Sequence, residues 1–308
     1  MEASITLKNV SKKYNNRYVL SNLTLGVEKG SAFAIVGRNG AGKSVLMRIL
    51  STLMKPDGGT IFIKGQEVIG SGDEQRQSIG YLPDHDLHDP WITGRENLAL
   101  RGHHLGLSES ATAELVNGLA RDFGMETILD ECPVEYSRGS KRCLDIMMIL
   151  LSDPEIILLD EPSLGLDYYL RAVFFKKLAL LKGQKTIVMA SNHFSEIQTL
   201  ADRWVVLHEG IIRFDGTLEK IVTQIGMPFI GNIEFKAGGY QLIKSLQHSK
   251  GVREIRDLGK TIQIVTDDIE EFTRVLKKID NEHIVGISGN SINMEEFLNQ
   301  LISDEGLL

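Results

Sequence analysis

Two stretches of this chain have residue types and spacings that can do chemistry. The first is Gly37-Arg38-Asn39-Gly40-Ala41-Gly42-Lys43-Ser44, followed by Val45. It has the pattern G-x-x-x-x-G-K-[S/T]. Its glycines let backbone N–H groups turn inward with no Cβ in the way. Those amides, with the N-terminus of the helix that must follow, favour anionic oxygens. Lys43 can reach the β- and γ-phosphates of a nucleoside triphosphate, and Ser44 can ligate Mg²⁺. The second stretch is Asp160-Glu161, which ends the apolar run Ile156-Ile-Leu-Leu. Asp160 would hold Mg²⁺ through water, and Glu161 would orient and deprotonate an attacking water. Two acids capping a strand or the next helix are the plainer reading, against which the upstream phosphate cradle weighs.

These residues need elements to position them. Ala32–Val36 is an apolar run that ends at Gly37. From Lys43 to Met54 the apolar spacing predicts a helix, with Val45, Leu46, Ile49, Leu50 and Leu53 on one side. The first thirty residues alternate like antiparallel strands. Residues 91–150 turn helical. Strands at EIILLDE, KTIVMAS and RWVVLHEG then alternate with helices near Tyr168–Leu181 and Phe194–Ala201, a pattern of parallel strands covered by helices. The expected class is α/β: a mixed sheet core with an antiparallel β subdomain and a helical subdomain. The pattern breaks near Gly226, so the expected domains are 1–225 and 226–308. Beyond the break we read strand, helix (Tyr240–His248), two strands, helix (Asp268–Ile279), strand and helix (Met294–Ile302), an order like a small ferredoxin-like unit.

Apolar residues make up 42% of the 308-residue chain and charged residues 24%, ordinary values for a globular protein. The formal net charge of −7 argues against a general nucleic-acid binder. The two cysteines, Cys132 and Cys143, have no metal or redox spacing. No apolar run approaches the length of a membrane span, so any membrane role is expected through a partner.

With GRNGAGKS as Walker A loop and IILLDE as Walker B strand, the chain resembles the ATP-binding subunit of an ATP-binding-cassette (ABC) transporter over roughly residues 4–220. Ser163-Leu-Gly-Leu-Asp167 looks like the D-loop, and Ser191-Asn-His193 like the switch-histidine region. Tyr14 stands where this family stacks a ring on adenine, and Tyr136-Ser-Arg-Gly-Ser140 stands at its signature motif. The resemblance implies that two cassettes meet head to tail. Ser137, Gly139 and the N-terminus of their helix would then contact the γ-phosphate of ATP held by the other copy. Arg138 and Asp167 would count among the nucleotide-binding residues, and His193 would contact γ-phosphate and link Glu161 to the other subunit.

Some positions depart from the family pattern. Arg138 replaces the first signature glycine, and its side chain either meets phosphate or is solvated. Ser140 replaces a glutamine. Arg142-Cys143 stands where glutamine then arginine is usual, which implies a looser local ion pair. Asp84 stands at the Q-loop glutamine, where it could still face Mg²⁺ or its water, one methylene short. The run Asp84–Asp89, DHDLHD, is a metal site or a polar hinge loop. Trp91, Ile92 and Leu98 form either a groove for a membrane subunit or ordinary core.

The resemblance implies an export-type ATPase subunit using ATP and Mg²⁺. It would work with a separate integral-membrane permease and a second copy of itself, on the cytoplasmic face of a membrane and without nucleic acid. A soluble cassette ATPase serving a macromolecular machine, or a nucleotide sensor with little turnover, are the competing readings. The domain after residue 226 is expected either to regulate or to dimerise.

Overall fold

Two long strands open the chain, β1 (Ala3–Tyr14) and β2 (Arg17–Glu28). They pair antiparallel through Asn15 and Asn16, whose φ values of 48° and 61° suit a tight turn between twisted strands. The computed structural model describes residues 3–192, 197–225, 229–235, 250–277, 279 and 284–291. It divides into two compact units, Met1–Gly216 and Thr217–Leu308.

In the first unit β3 (Ala32–Val36) is buried along its whole length and feeds α1 (Lys43–Leu50). This helix stops short of the predicted Met54. Thr52 takes a left-handed φ of 61°, and Leu53 turns outward. Next come β4 (Gly58–Ile63), β5 (Gln66–Glu67), the single turn α2 (Asp73–Arg76) and β6 (Ile79–Leu82). Three helices follow. A Thr93/Glu96 capping box starts α3 (Gly94–His104), Ser108 caps α4 (Glu109–Phe123), and Ser137 caps α5 (Arg138–Leu150). The unit closes with β7 (Ile156–Asp160), α6 (Tyr168–Leu181), β8 (Thr186–Ser191), β9 (Arg203–His208) and β10 (Ile211–Gly216).

Strands β2-β1-β4-β5 form an antiparallel sheet, and β10-β9-β3-β8-β7-β6 form a second sheet. In the second all neighbours are parallel except β10 on β9. Leu46, Met47, Ile49 and Leu50 of α1 share one core with Ile5, Leu7 and Leu23 of the first sheet and Ile35, Leu158 and Val188 of the second. Burying α1 between two apolar faces fixes its N-terminus at the C-terminal ends of the parallel strands, where ligands of open α/β sheets bind. Because β8 lies between β3 and β7, the cradle and the acid pair are two strands apart.

The second unit holds α7 (Leu218–Ile225), β11 (Phe229–Phe235), β12 (Val252–Asp257), β13 (Thr261–Thr266), α8 (Ile269–Leu276) and β14 (Ile284–Ser291). Its sheet has the order β12-β13-β11-β14, antiparallel throughout. Phe272 of α8 packs directly over Gly231, where a Cβ would overlap the ring. The helices expected over 240–248 and 294–302 lie outside the described residues.

Candidate active site

The loop after β3 needs glycine at its first position for space rather than dihedral freedom. A Cβ on Gly37 would stand 2.3 Å from the Leu207 carbonyl oxygen. Gly42 needs glycine on both counts, with φ of 104° and Leu20 Cδ2 2.7 Å from its ideal Cβ. Gly42 is the N-cap of α1, and no side chain caps the helix, so its first amides open towards the loop. Arg38, Asn39 and Gly40 are exposed at the rim, Ala41 is buried, and Val45 packs on the core.

Lys43 is only 6% exposed. Its Nζ donates to the carbonyls of Gly37 at 2.8 Å and Arg38 at 3.3 Å, and to Asn192 Oδ1. It also lies 4.0 Å from Glu161 Oε1. Burial lowers its pKa, and the charges of Glu161 and Asp160 oppose that. The cation therefore closes the loop on itself, on acceptors that phosphate oxygens could replace.

Asp160 ends β7 with no exposed surface, and neither of its carboxylate oxygens has a hydrogen-bond partner. Burial pushes its pKa up to about 6. The nearby Ser44 hydroxyl opposes the rise, and the charges of Asp84 and Glu161 add to it. That hydroxyl lies close to Asp160 without making a hydrogen bond of normal geometry. A buried carboxylate with no partner costs several kcal/mol unless a cation or a proton joins it. The oxygens of Ser44 and Asp160 form a hard donor set of the kind Mg²⁺ prefers.

Glu161, the next residue, has a left-handed φ of 45°. Strain of this kind, about 1–3 kcal/mol, persists where the surroundings over-determine a residue. Here the Glu161 amide donates to the Ala190 carbonyl at 2.9 Å. Ser191 Oγ and the Asn192 amide, both at 3.3 Å, donate to Glu161 Oε2. The end of β8 thus holds the carboxylate between the two motifs.

Arg142 and Asn192 are two contributors that the sequence reading did not place among the site residues. Arg142 of α5 is buried. It donates to the carbonyls of Pro83 (2.6 Å), Asp160 (2.9 Å), Glu161 (3.0 Å) and Pro162 (3.4 Å). The loosening expected from Cys143 is therefore not seen: a guanidinium one position earlier ties the region together. The signal was present in Arg142 itself, beside the position where an arginine is usual. Asn192 accepts from Lys43 and donates to Asn39, bridging the cradle to the end of β8. Its signal was its place just before His193.

The other expected site residues fall as follows. Tyr14 stands 45% exposed, with its hydroxyl on Met54 Sδ at 3.2 Å. Asp84 is exposed, with Arg48 at 4.0 Å and His85 at 3.2 Å. Ser137 Oγ accepts from the Ser140 amide at 3.1 Å. Gly139 lies against the Gly165 carbonyl, 3.2 Å from its ideal Cβ. Asp167 caps α6 through the Leu170 amide at 2.8 Å. Of the suspected groove, Leu98 is core and Trp91 is 75% exposed. His193 lies outside the described residues.

Residues 20–164 match the ABC transporter family model. The daunorubicin resistance ATP-binding protein DrrA3 of Streptomyces coeruleorubidus is 32% identical over 290 residues, covering 92% of this chain and 90% of that protein. The chain belongs to the ABC transporter ATP-binding family. The Nod factor export ATP-binding protein I of Burkholderia lata is 36% identical over 209 residues, 68% of this chain and 69% of that protein. Among solved structures, an ATP-binding subunit of an ABC transporter superposes with a TM-score of 0.67 at 29% identity, covering 71% of this chain and 92% of that one. An ATP-binding cassette solved as a dimer in a post-hydrolysis state, bound to ADP and Pi, superposes with a TM-score of 0.64 at 25% identity, covering 70% of this chain and 98% of that one. This ABC cassette therefore binds ATP and hydrolyses it as the ATPase subunit of a transporter. Among the described residues no helix is long and apolar enough to cross a membrane.

Proposed function

We propose that this ABC cassette powers export, by closing head to tail on a second copy around ATP and reopening after hydrolysis. The observation that carries the proposal is the convergence of Lys43, after β3, with Asp160 and Glu161, at the end of β7. Glu161 is held in a strained conformation with two donors on one carboxylate oxygen. The export-named relatives support the direction, and the dimeric solved cassette supports the pairing.

In this reading Lys43 leaves the Gly37 and Arg38 carbonyls for the β- and γ-phosphates, and the α1 amides cradle them. The adenine ring stacks on Tyr14. Ser44 and Asp160, with Asp84 at the edge, would hold Mg²⁺, which would supply positive charge against that of the phosphates. Glu161 takes a proton from the attacking water, and His193 contacts the γ-phosphate. Ser137, Arg138, Gly139 and Asp167 face the nucleotide of the second copy. The separate permease docks at the helical subdomain on the cytoplasmic face. There a cleft of about 410 Å³ opens between Tyr81, Leu87, Leu100, Arg101, His104 and Met148. The second unit is read as a ferredoxin-like accessory domain, supported by its strand order and by α8 on its sheet.

Glu161→Gln tests the proposal. A lost general base lowers turnover about 10²–10⁴-fold, and the variant should retain ATP and accumulate as a dimer. Wild-type turnover in Glu161→Gln, or a strictly monomeric ATP-loaded variant at high concentration with its permease, would sink it.

A further inference from the structure

Asp145 sits in the middle of α5 with no exposed surface. One of its oxygens, Oδ1, accepts three hydrogen bonds from the loop after β6. They come from the Leu87 amide at 3.1 Å, the His88 amide at 3.1 Å and His88 Nδ1 at 2.7 Å. The carboxylate can only accept, so Nδ1 carries the proton of the imidazole. His88 is itself buried, its side chain 1% exposed. A carboxylate and an imidazole are costly to bury unless they are paired; here all three bonds fall on Oδ1, and Oδ2 is buried without a hydrogen-bond partner. Their pairing therefore marks a place where the loop is held in one position.

Three residues earlier on the same helix face, Arg142 holds the Pro83 carbonyl together with the carbonyls of Asp160 and Glu161. One face of α5 thus grips the loop at both ends, at Pro83 and at Leu87-His88, and also grips the end of β7. Asp84 lies between those two anchors. Its charge already acts on Asp160.

We propose that Asp145 and His88 are positioning residues, a buried clasp that fixes the 83–88 loop on α5 and so sets where Asp84 stands relative to Asp160. This rests on the reading above, in which Asp84 and Asp160 face the nucleotide's cation. The helix that presents Ser137 and Gly139 and the loop that presents Asp84 then move as one piece. The competing occupant of the cluster is a metal ion, because Asp86 Oδ2 lies 4.0 Å from His88 Nε2 and the ligand atoms of Asp86, His88 and Asp145 gather within 4.8 Å. Three hydrogen bonds on Asp145 Oδ1 favour the clasp.

A double-mutant cycle on the full chain tests it, with Mg-ATP hydrolysis and thermal unfolding measured side by side. His88→Leu should lower kcat about tenfold with the KM for ATP within about twofold, as for an interaction realised in the transition state. Asp145→Ala should do the same, and the double variant should be no worse than either single one. Asp145→Asn, which keeps the acceptor, should recover to within about threefold of wild type. Should Asp145→Ala fail to fold, the contrast between His88→Leu and Asp145→Asn carries the test. The clasp is overturned if only thermal stability falls while kcat per folded molecule is unchanged, or if the two losses multiply. It is equally overturned if Asp86→Ala abolishes a response of turnover to added Zn²⁺, which would make the cluster a metal site. If Glu161→Gln blocks turnover while the clasp variants behave as wild type, the clasp fails alone; if Glu161→Gln turns over normally, the underlying reading fails.

Discussion

The stem of Arg138 lies across Gly165: a Cβ on Gly165 would stand 2.7 Å from Arg138 Cγ and 3.0 Å from Cδ. The first residue of the signature helix and the middle of the D-loop are therefore packed together within one chain. Gly165 also has a φ of 84°, which side chains rarely adopt.

This contact makes Gly165→Ala a sharp probe. The added methyl must displace Arg138 and adopt a strained backbone, at a cost of about 1–3 kcal/mol. ATP-driven dimerisation, followed by size-exclusion chromatography in a Glu161→Gln background, should weaken about tenfold or more. The double variant Arg138→Gly/Gly165→Ala should regain part of the loss, because the backbone strain remains when the steric clash has gone.

Asp160 gives the stability of the metal-free protein a pH signature. Its carboxyl is pushed up to about 6 by burial, against an ordinary value of about 3.9 in the unfolded chain. The folded state is therefore penalised above pH 6, and the penalty fades as pH falls through 6 towards 4. In EDTA, denaturant titrations at pH 4.5 and pH 8 should show wild type losing about 2 kcal/mol relative to Asp160→Asn as pH rises. Added Mg²⁺ should restore stability at pH 8 to wild type and not to the variant. Parallel pH curves for the two proteins would contradict this account.

The two thiols should behave differently. Cys143 is 1% exposed, and burial pushes its pKa up to about 12. Cys132 is only half-buried. At pH 8 the native protein should react with an aromatic disulfide reagent to about one equivalent, and the second thiol should appear only after unfolding. Two fast equivalents would mean that α5 opens readily.

Much of this was legible in the sequence because the backbone does the work there. The cradle is set by Gly37, Gly42 and the buried run of β3, and continuous apolar runs located the strands that carry Asp160 and Ser191. What stayed hidden depends on contacts between distant segments. No spacing rule tells that Arg142 reaches Pro83 and Asp160 at once, or that the DHDLHD run would send His88 inward to Asp145 rather than outward to solvent. The end of α1 was overrun for the opposite reason. Leu53 continued the apolar pattern, but a left-handed residue at Thr52 ended the helix before that position could use it.

The place of β8 between β3 and β7 has a consequence for selectivity among nucleotides. Two sheet spacings put the strand ends about 10 Å apart, a gap set by backbone that side-chain replacement cannot widen. In the function proposed above, that fixed frame would grip the triphosphate tail. There the purine would stack on the half-exposed ring of Tyr14, whose hydroxyl is engaged with Met54, and stacking tolerates any base. Such a pocket measures the length of a phosphate chain far better than it tells adenine from guanine.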